Sequence, residues 1–131
     1  MKTVLTLLTL AGVLCVAPAM LHAESGHDHD RVGGPKGGRL LEHTDPRAEL
    51  YVEKDRTVTI TFYDDTWKLV AASEQSVTVI AETEGHRSTV AFEKTGDVLV
   101  STSALPAGHA LNLVVQFKQT ATAKPSNFRF I

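Results

Sequence analysis

Residues 111–118 read LNLVVQFK, and the side chains at every second position along this stretch are strongly apolar. The apolar series is Leu111, Leu113, Val115 and Phe117. Successive side chains of a β-strand point to opposite faces of the sheet. The spacing therefore predicts a strand that buries one face.

Shorter segments of the same kind recur from residue 48 to the last residue. The other predicted strands are residues 48–52, 58–62, 68–71, 77–81, 88–92, 97–101 and 128–131. Turn-forming residues separate them at 53–55, 63–65, 84–86, 95–97 and 106–108. No segment after residue 23 has a sustained helical period. Seven or eight short strands at this spacing predict an all-β fold, an immunoglobulin-like antiparallel β-sandwich, with a small barrel as the competing architecture.

The first 23 residues have the layout of a secretory signal peptide. Met1 and Lys2 precede an apolar run from Val4 to Ala17. This run is shorter than the roughly 20 residues that span a bilayer. Small residues follow it, so cleavage is expected after Ala19 or Ala23, and we favour Ala23, which leaves Glu24 first. The expected location is therefore periplasmic or secreted, with no membrane span after cleavage.

Loss of the signal peptide would also remove Cys15, the single cysteine of the chain. Leu14 stands before it, where a lipoprotein signal requires a small residue. The exported protein is therefore expected to have neither a lipid anchor nor disulfides. Acidic and basic residues are interspersed, and the net charge of the whole chain is −2. No basic footprint of a nucleic-acid-binding protein is present, and that class is excluded.

A polar segment, residues 24–38, lies between the signal peptide and the predicted sandwich of residues 39–131. It contains almost no apolar side chains that could pack on a sheet, so we expect it to be flexible. Its glycine-rich half, GGPKGG at residues 33–38, differs from a phosphate-binding loop because Gly37 follows Lys36 where that loop requires Ser or Thr. The glycines are expected to supply positive φ angles and a flexible lead into Arg39.

The other half of this segment contains the tetrad His27, Asp28, His29 and Asp30. Neutral imidazole is the commonest protein ligand for transition metals, and carboxylate oxygens can complete the coordination shell. In an extended chain, His27 and His29 project to the same side. The tetrad is therefore predicted to bind a transition-metal ion. The residue types do not distinguish copper, zinc, nickel and cobalt.

Two imidazoles do not fill the tetrahedral shell of zinc, so a further ligand is needed. It could come from Asp28, Asp30, Glu24, the new amino terminus, another histidine or another molecule. The remaining histidines, His43, His86 and His109, are each expected in turns or near strand ends. The alternative interpretation of the tetrad is a polar spacer that follows the signal peptide.

A resemblance to a known family rests on several segments. The GPKGGRLLE motif at residues 34–42 follows a His-rich tract, and AELYV, VTITFYD, KTGDVLV and GHALNLVV occur at 48–52, 58–64, 94–100 and 108–115. This arrangement is similar to the N-terminal β-sandwich domain of periplasmic adaptor (membrane-fusion) subunits of heavy-metal efflux pumps of the resistance-nodulation-division class. The lipoyl, hairpin and barrel modules of such adaptors have no counterpart before Ile131. The resemblance therefore implies a stand-alone periplasmic module that binds or buffers heavy-metal cations, linked to metal efflux or resistance.

Enzymatic activity and metal-free protein interaction are two other classes of function. The sequence has no nucleophile elbow, no assignable Ser/His/Asp arrangement and no zinc-hydrolase motif, so no enzymatic activity is expected. A metal-free periplasmic protein-interaction domain is the alternative function, with the edge of the sandwich or an exposed region around Trp67 as its contact surface.

Overall fold

The computed structural model of the protein describes residues 33–108 and 110–131, and all regular structure in these two ranges is β-strand. The strands are β1 (Arg39–Leu41), β2 (Arg47–Val52), β3 (Val58–Tyr63), β4 (Leu69–Val70), β5 (Ser76–Thr83), β6 (His86–Thr95), β7 (Val98–Ser101), β8 (Asn112–Lys118) and β9 (Ser126–Phe130). The predicted all-β fold is therefore confirmed. Within these ranges there is no helix that is long and apolar enough to cross a membrane.

The strands form one antiparallel sheet in the order β1-β2-β3-β7-β6-β5-β8-β9, and the short β4 pairs with the end of β3. Neighbours along the chain form hairpins at β1–β2, β2–β3, β5–β6, β6–β7 and β8–β9. Two pairings join strands that are distant in sequence, β3 with β7 and β5 with β8. These long-range pairings set the order of the sheet.

Strand β6 joins the two halves of the sheet. Its residues 86–91 pair with β5, whereas residues 92–95 pair with β7. The sheet curls around this strand until β3 and β8, which are not neighbours in the strand order, face each other. The rings of Phe62 on β3 and Phe117 on β8 lie 6.2 Å apart between centroids. The sheet is consequently nearly closed into a barrel.

The apolar alternation of the sequence predicts the inner face correctly. Val58, Ile60, Phe62, Leu113, Val115 and Phe117 are all buried. Leu111 is partly buried and packs against the same core, although it lies just before β8. Side chains on two halves of a curled sheet can share one apolar core because the alternation places one face of every strand inward.

The opposite face of β3 is also buried, which the alternation does not predict. Thr59, Thr61 and Tyr63 point away from the core, yet each is less than a tenth exposed. Their neighbour across the β2–β3 pairing is Glu49, opposite Thr61, and it has no exposed surface at all. The structure must therefore cover this outer face with something other than a second layer of strands.

Candidate functional site

A tight turn at Gly33–Gly38, which we call the glycine turn, covers part of that outer face. Gly33 forms an antiparallel bridge with Arg39. Within the turn, the N–H of Gly34 donates to the carbonyl of Gly38 at 3.1 Å, and the N–H of Gly37 donates to the carbonyl of Gly34 at 2.9 Å. Gly37 has a φ of 82°, a conformation that glycine adopts without strain.

The glycine turn is attached to the sheet by the side chain of Glu49. The backbone N–H of Gly38 donates to the Glu49 carboxylate at 2.7 Å, and the N–H of Lys36 donates to both of its oxygens, at 3.0 and 3.2 Å. The hydroxyl of Tyr63 is the third donor to this carboxylate, at 3.0 Å. A buried carboxylate is costly unless its oxygens accept hydrogen bonds, and here three donor groups compensate for the burial.

Two of the glycines are required by the closeness of this contact. A Cβ atom on Gly34 would lie 2.2 Å from Cδ of Glu49, and one on Gly38 would lie 2.2 Å from the backbone oxygen of Leu50. Neither distance is compatible with a side chain. The glycine-rich composition therefore serves close packing of backbone against Glu49 and β2, in addition to turn formation.

This arrangement differs from the flexible segment that the sequence predicted for residues 24–38. Residues 33–38 have few apolar side chains, but their backbone N–H groups have a buried acceptor in Glu49. Hydrogen bonds hold these residues in place, and the number of apolar side chains in a segment does not predict such bonds. Residues 24–32 lie outside the described ranges.

Successive backbone N–H groups that converge on an anion form the kind of concavity that binds phosphate in other proteins. In this protein the anion is a carboxylate of the same chain. The N–H groups of Lys36 and Gly38 are already engaged by Glu49. Their engagement is consistent with the interpretation of GGPKGG as a structural turn.

Cationic and aromatic side chains surround the glycine turn. The Lys36 ammonium lies 4.8 Å from the centroid of the Tyr51 ring and 3.4 Å from a carboxylate oxygen of Glu53. The guanidinium of Arg47 lies 4.3 Å from the Trp67 ring centroid, and Trp67 in turn contacts Tyr63 with ring centroids 6.0 Å apart. Trp67 is half-buried, so only part of its side chain contributes to the exposed contact surface that the sequence predicts around it.

Burial raises the pKa of Tyr63 from its ordinary value of 10.0 to about 12, and the hydrogen bond to Glu49 and the charge of that residue add to the effect. Because the folded-state pKa is higher, folding favours the neutral phenol. That stabilisation is complete below pH 10 and is lost as the pH rises from about 10 to about 12.

We therefore expect the free energy of unfolding to fall by about 2 kcal/mol more in the wild-type protein than in Tyr63→Phe between pH 9.5 and pH 12. Phenylalanine removes the ionisable group and keeps the ring. Urea titrations of both proteins across this range measure the difference. Parallel pH profiles would contradict the assignment.

The predicted metal ligands His27, Asp28, His29 and Asp30 lie outside the described residues, so the structure leaves that prediction untested. Within residues 33–108 and 110–131, no three histidine, cysteine or acidic side chains are grouped as a metal site requires. His43 and His86 are both exposed, and His109 is not described.

Sequence reasoning missed Glu49. Its two apolar neighbours, Ala48 and Leu50, point into the core, and alternation assigned the residue between them to a solvated face. A charged residue at the centre of a short strand, preceded by a glycine-rich motif, is the only signal the sequence offers. Two of its three donors are backbone groups 11 and 13 residues away, which carry no side-chain signature, and the third is the Tyr63 hydroxyl, 14 residues away.

These features define an all-β protein in which a buried glutamate holds a glycine turn against the outer face of a curled antiparallel sheet. No family model matches the chain, and no curated protein or solved structure matches it either.

Proposed function

We propose that this protein binds or buffers heavy-metal cations in the periplasm through His27, Asp28, His29 and Asp30. The cation would be a transition-metal ion such as copper, zinc, nickel or cobalt, and a periplasmic component of a metal efflux or resistance system would be the partner. The proposal includes export by the signal peptide at residues 1–23. The link to efflux rests on the resemblance to the sandwich domain of efflux-pump adaptors.

The observation that carries the proposal is the anchoring of Gly33. Asp30 lies only three residues before Gly33, and Gly33 leads into a turn whose backbone is held by Glu49. In sequence, the tetrad therefore ends three residues before a turn that Glu49 holds against the sheet.

The finer fold assignment is also a proposal. Contact between Phe62 and Phe117 across the core supports two facing layers, as in an immunoglobulin-like sandwich. Continuity of the sheet through β6 supports the barrel alternative.

The test is calorimetric titration of the exported, chelator-treated protein with Zn²⁺, Cu²⁺, Ni²⁺ and Co²⁺ in turn. The double substitution His27→Ala, His29→Ala should weaken binding at least about tenfold, which corresponds to about 1.4 kcal/mol. The thermal unfolding of the metal-free double variant should match that of the wild type, because the core found among the described residues contains no histidine.

His86→Ala is the matched control, since it removes one exposed imidazole from the β5–β6 hairpin. Its affinity should equal that of the wild type. Equal affinity in the double variant would move the site to other residues, and absence of binding by the wild type would support the polar-spacer interpretation.

A metal-free protein-interaction domain is the second candidate. One observation favours it: the side chain of Leu69, two residues after the half-buried Trp67, is 72% exposed. Tryptophan is enriched among the residues that dominate protein interfaces, and an exposed apolar side chain close to it in sequence can extend the contact surface. If the wild type binds none of the metals in the calorimetric series, this function is favoured over cation binding.

A further inference from the structure

The two ends of the strand order differ in how their free edges are covered. β1 stands at one end, and Gly33 of the glycine turn bridges to Arg39 on the side away from β2. β9 stands at the other end and pairs with β8 alone. Among the described residues, no hydrogen bond other than those to β8 involves Ser126–Phe130. The edge of β1 is therefore partly covered, and the edge of β9 is open.

An open edge presents backbone groups that can pair with another chain. About half of the N–H and C=O groups of an antiparallel edge strand point away from its one neighbour, and such a row is a template for a further strand. Proline, lysine and bulges commonly block an edge. β9 contains neither proline nor lysine, and its register with β8 runs from Ser126 to Phe130 without a bulge.

The two faces of β9 differ in chemistry. Phe128 and Phe130 are half-buried and pack against the core, whereas Asn127 and Arg129, on the opposite face, are exposed. A strand added beside β9 would continue both faces, and its side chains would contact those of β9 across the new pairing. Apolar residues suit the face of the two phenylalanines, and polar residues suit the face of Arg129.

The charge of this part of the chain is positive. Residues 98–131 contain Lys118, Lys124 and Arg129 and no acidic residue, so their net charge is +3 in a chain whose total is −2. Among the described residues, Arg129 forms no ion pair. On β5, the strand beyond β8, the one acidic side chain is Glu82, and it lies 3.5 Å from Arg87 on β6. An acidic side chain beside β9 would therefore be complementary in charge.

We propose that the free edge of β9 binds, by strand addition, an extended segment of another protein in which apolar and acidic residues alternate. Backbone hydrogen bonds hold the added strand, its apolar residues contact Phe128 and Phe130, and an acidic residue pairs with Arg129. Charge disfavours a second copy of this chain as the occupant, because two β9 edges would bring two basic segments together. Strand addition is independent of cation binding and takes place on the metal-free protein.

The test is a nuclear magnetic resonance titration of the metal-free protein with a synthetic peptide in which valine and glutamate alternate. The peptide is as long as β9 and is blocked at both ends, so that only its side chains are charged. The largest amide shift changes are expected at Ser126–Phe130 and on β8. A peptide in which lysine replaces glutamate should bind more weakly. Shift changes confined to other strands, or equal binding of both peptides, would overturn the proposal.

Arg129→Glu reverses the charge on the edge without touching the core. The affinity for the glutamate peptide should fall at least about threefold, and the affinity for the lysine peptide should rise, because a favourable cross-strand charge pair becomes an unfavourable one and the reverse. The matched control is Lys54→Glu, which makes the same charge change at an exposed position in the β2–β3 turn. It should leave both affinities close to those of the wild type. Equal effects of the two substitutions would show only a general attraction of charge.

Methylation of the peptide nitrogens tests the backbone pairing itself. In an antiparallel pair, alternate residues direct their N–H groups toward the neighbouring strand. Methylation of all the valine nitrogens or of all the glutamate nitrogens should therefore abolish binding in one peptide and preserve it in the other. Binding of both methylated peptides would overturn strand addition. So would self-association of the wild type through β9, measured by sedimentation, or binding to anionic phosphatidylserine vesicles without binding to the glutamate peptide.

Discussion

Replacement of Glu49 by alanine is expected to lower the free energy of unfolding by about 3 to 6 kcal/mol. The substitution leaves the N–H groups of Lys36 and Gly38 and the hydroxyl of Tyr63 without their acceptor. The Tyr63 hydroxyl is buried and the two N–H groups are partly buried. A hydrogen bond to a charged group contributes about 1.5 to 3 kcal/mol, and solvent can replace part of this at the two N–H groups. Urea denaturation of the two proteins measures the difference.

Glu53→Ala is the matched control. Glu53 directly follows β2 and also contacts Lys36, but through the side-chain ammonium at 3.4 Å; its side chain is 39% exposed and accepts one further hydrogen bond, from the Thr59 hydroxyl at 3.1 Å. An exposed ion pair contributes about 0 to 1 kcal/mol and a hydrogen bond about 0.5 to 1.5 kcal/mol, so this variant should lose less than about 2 kcal/mol. If both variants lost the same small amount, the glycine turn would not depend on Glu49.

The second large effect is expected for Gly38→Ala, at about 3 kcal/mol or more. The added Cβ would lie 2.2 Å from the backbone oxygen of Leu50, and a backbone atom inside a paired strand cannot move aside as a flexible side chain can. Overpacking of this kind usually costs about 1 to 3 kcal/mol, and displacement of the N–H that donates to Glu49 adds to it.

Gly33→Ala tests whether the loss is specific to that contact. A Cβ on Gly33 would meet only the oxygen of Gly38, at 3.4 Å, which is an ordinary contact distance. The two variants change the same residue type within the same turn. Gly33→Ala should change the free energy of unfolding by less than about 1 kcal/mol. Equal losses would show that the turn tolerates no side chain anywhere, and that the distance to Leu50 is irrelevant.

The positions of the strands follow from the sequence because the alternation of apolar residues is a local property. One example is the alternation of Leu113, Val115 and Phe117. It predicts a strand with one buried face without information from any other part of the chain, and all three residues are buried in the core. The turn residues between the strands are equally local. The all-β class was therefore predictable, and the bounds of β2 to β9 lie within three residues of the predicted strands, whereas β1 has no counterpart among them.

The order of the strands was not predictable in the same way. The pairings of β3 with β7 and of β5 with β8 join residues that are between 30 and 42 positions apart in sequence. Their hydrogen bonds are made by backbone groups that are common to every residue type. Which strands pair with each other depends on how all the apolar faces pack together. The sequence of a single segment does not contain that information.

What the sequence by itself determined is the class of fold and the inward-facing residues, because side-chain type and local spacing are sufficient for each. Only the tertiary structure decided that Glu49 is buried and that the glycine turn is hydrogen-bonded to it. The physical reason is that these features depend on backbone donors and strand directions, which are set by long-range pairing. Residue identity alone does not encode either of them in a readable pattern.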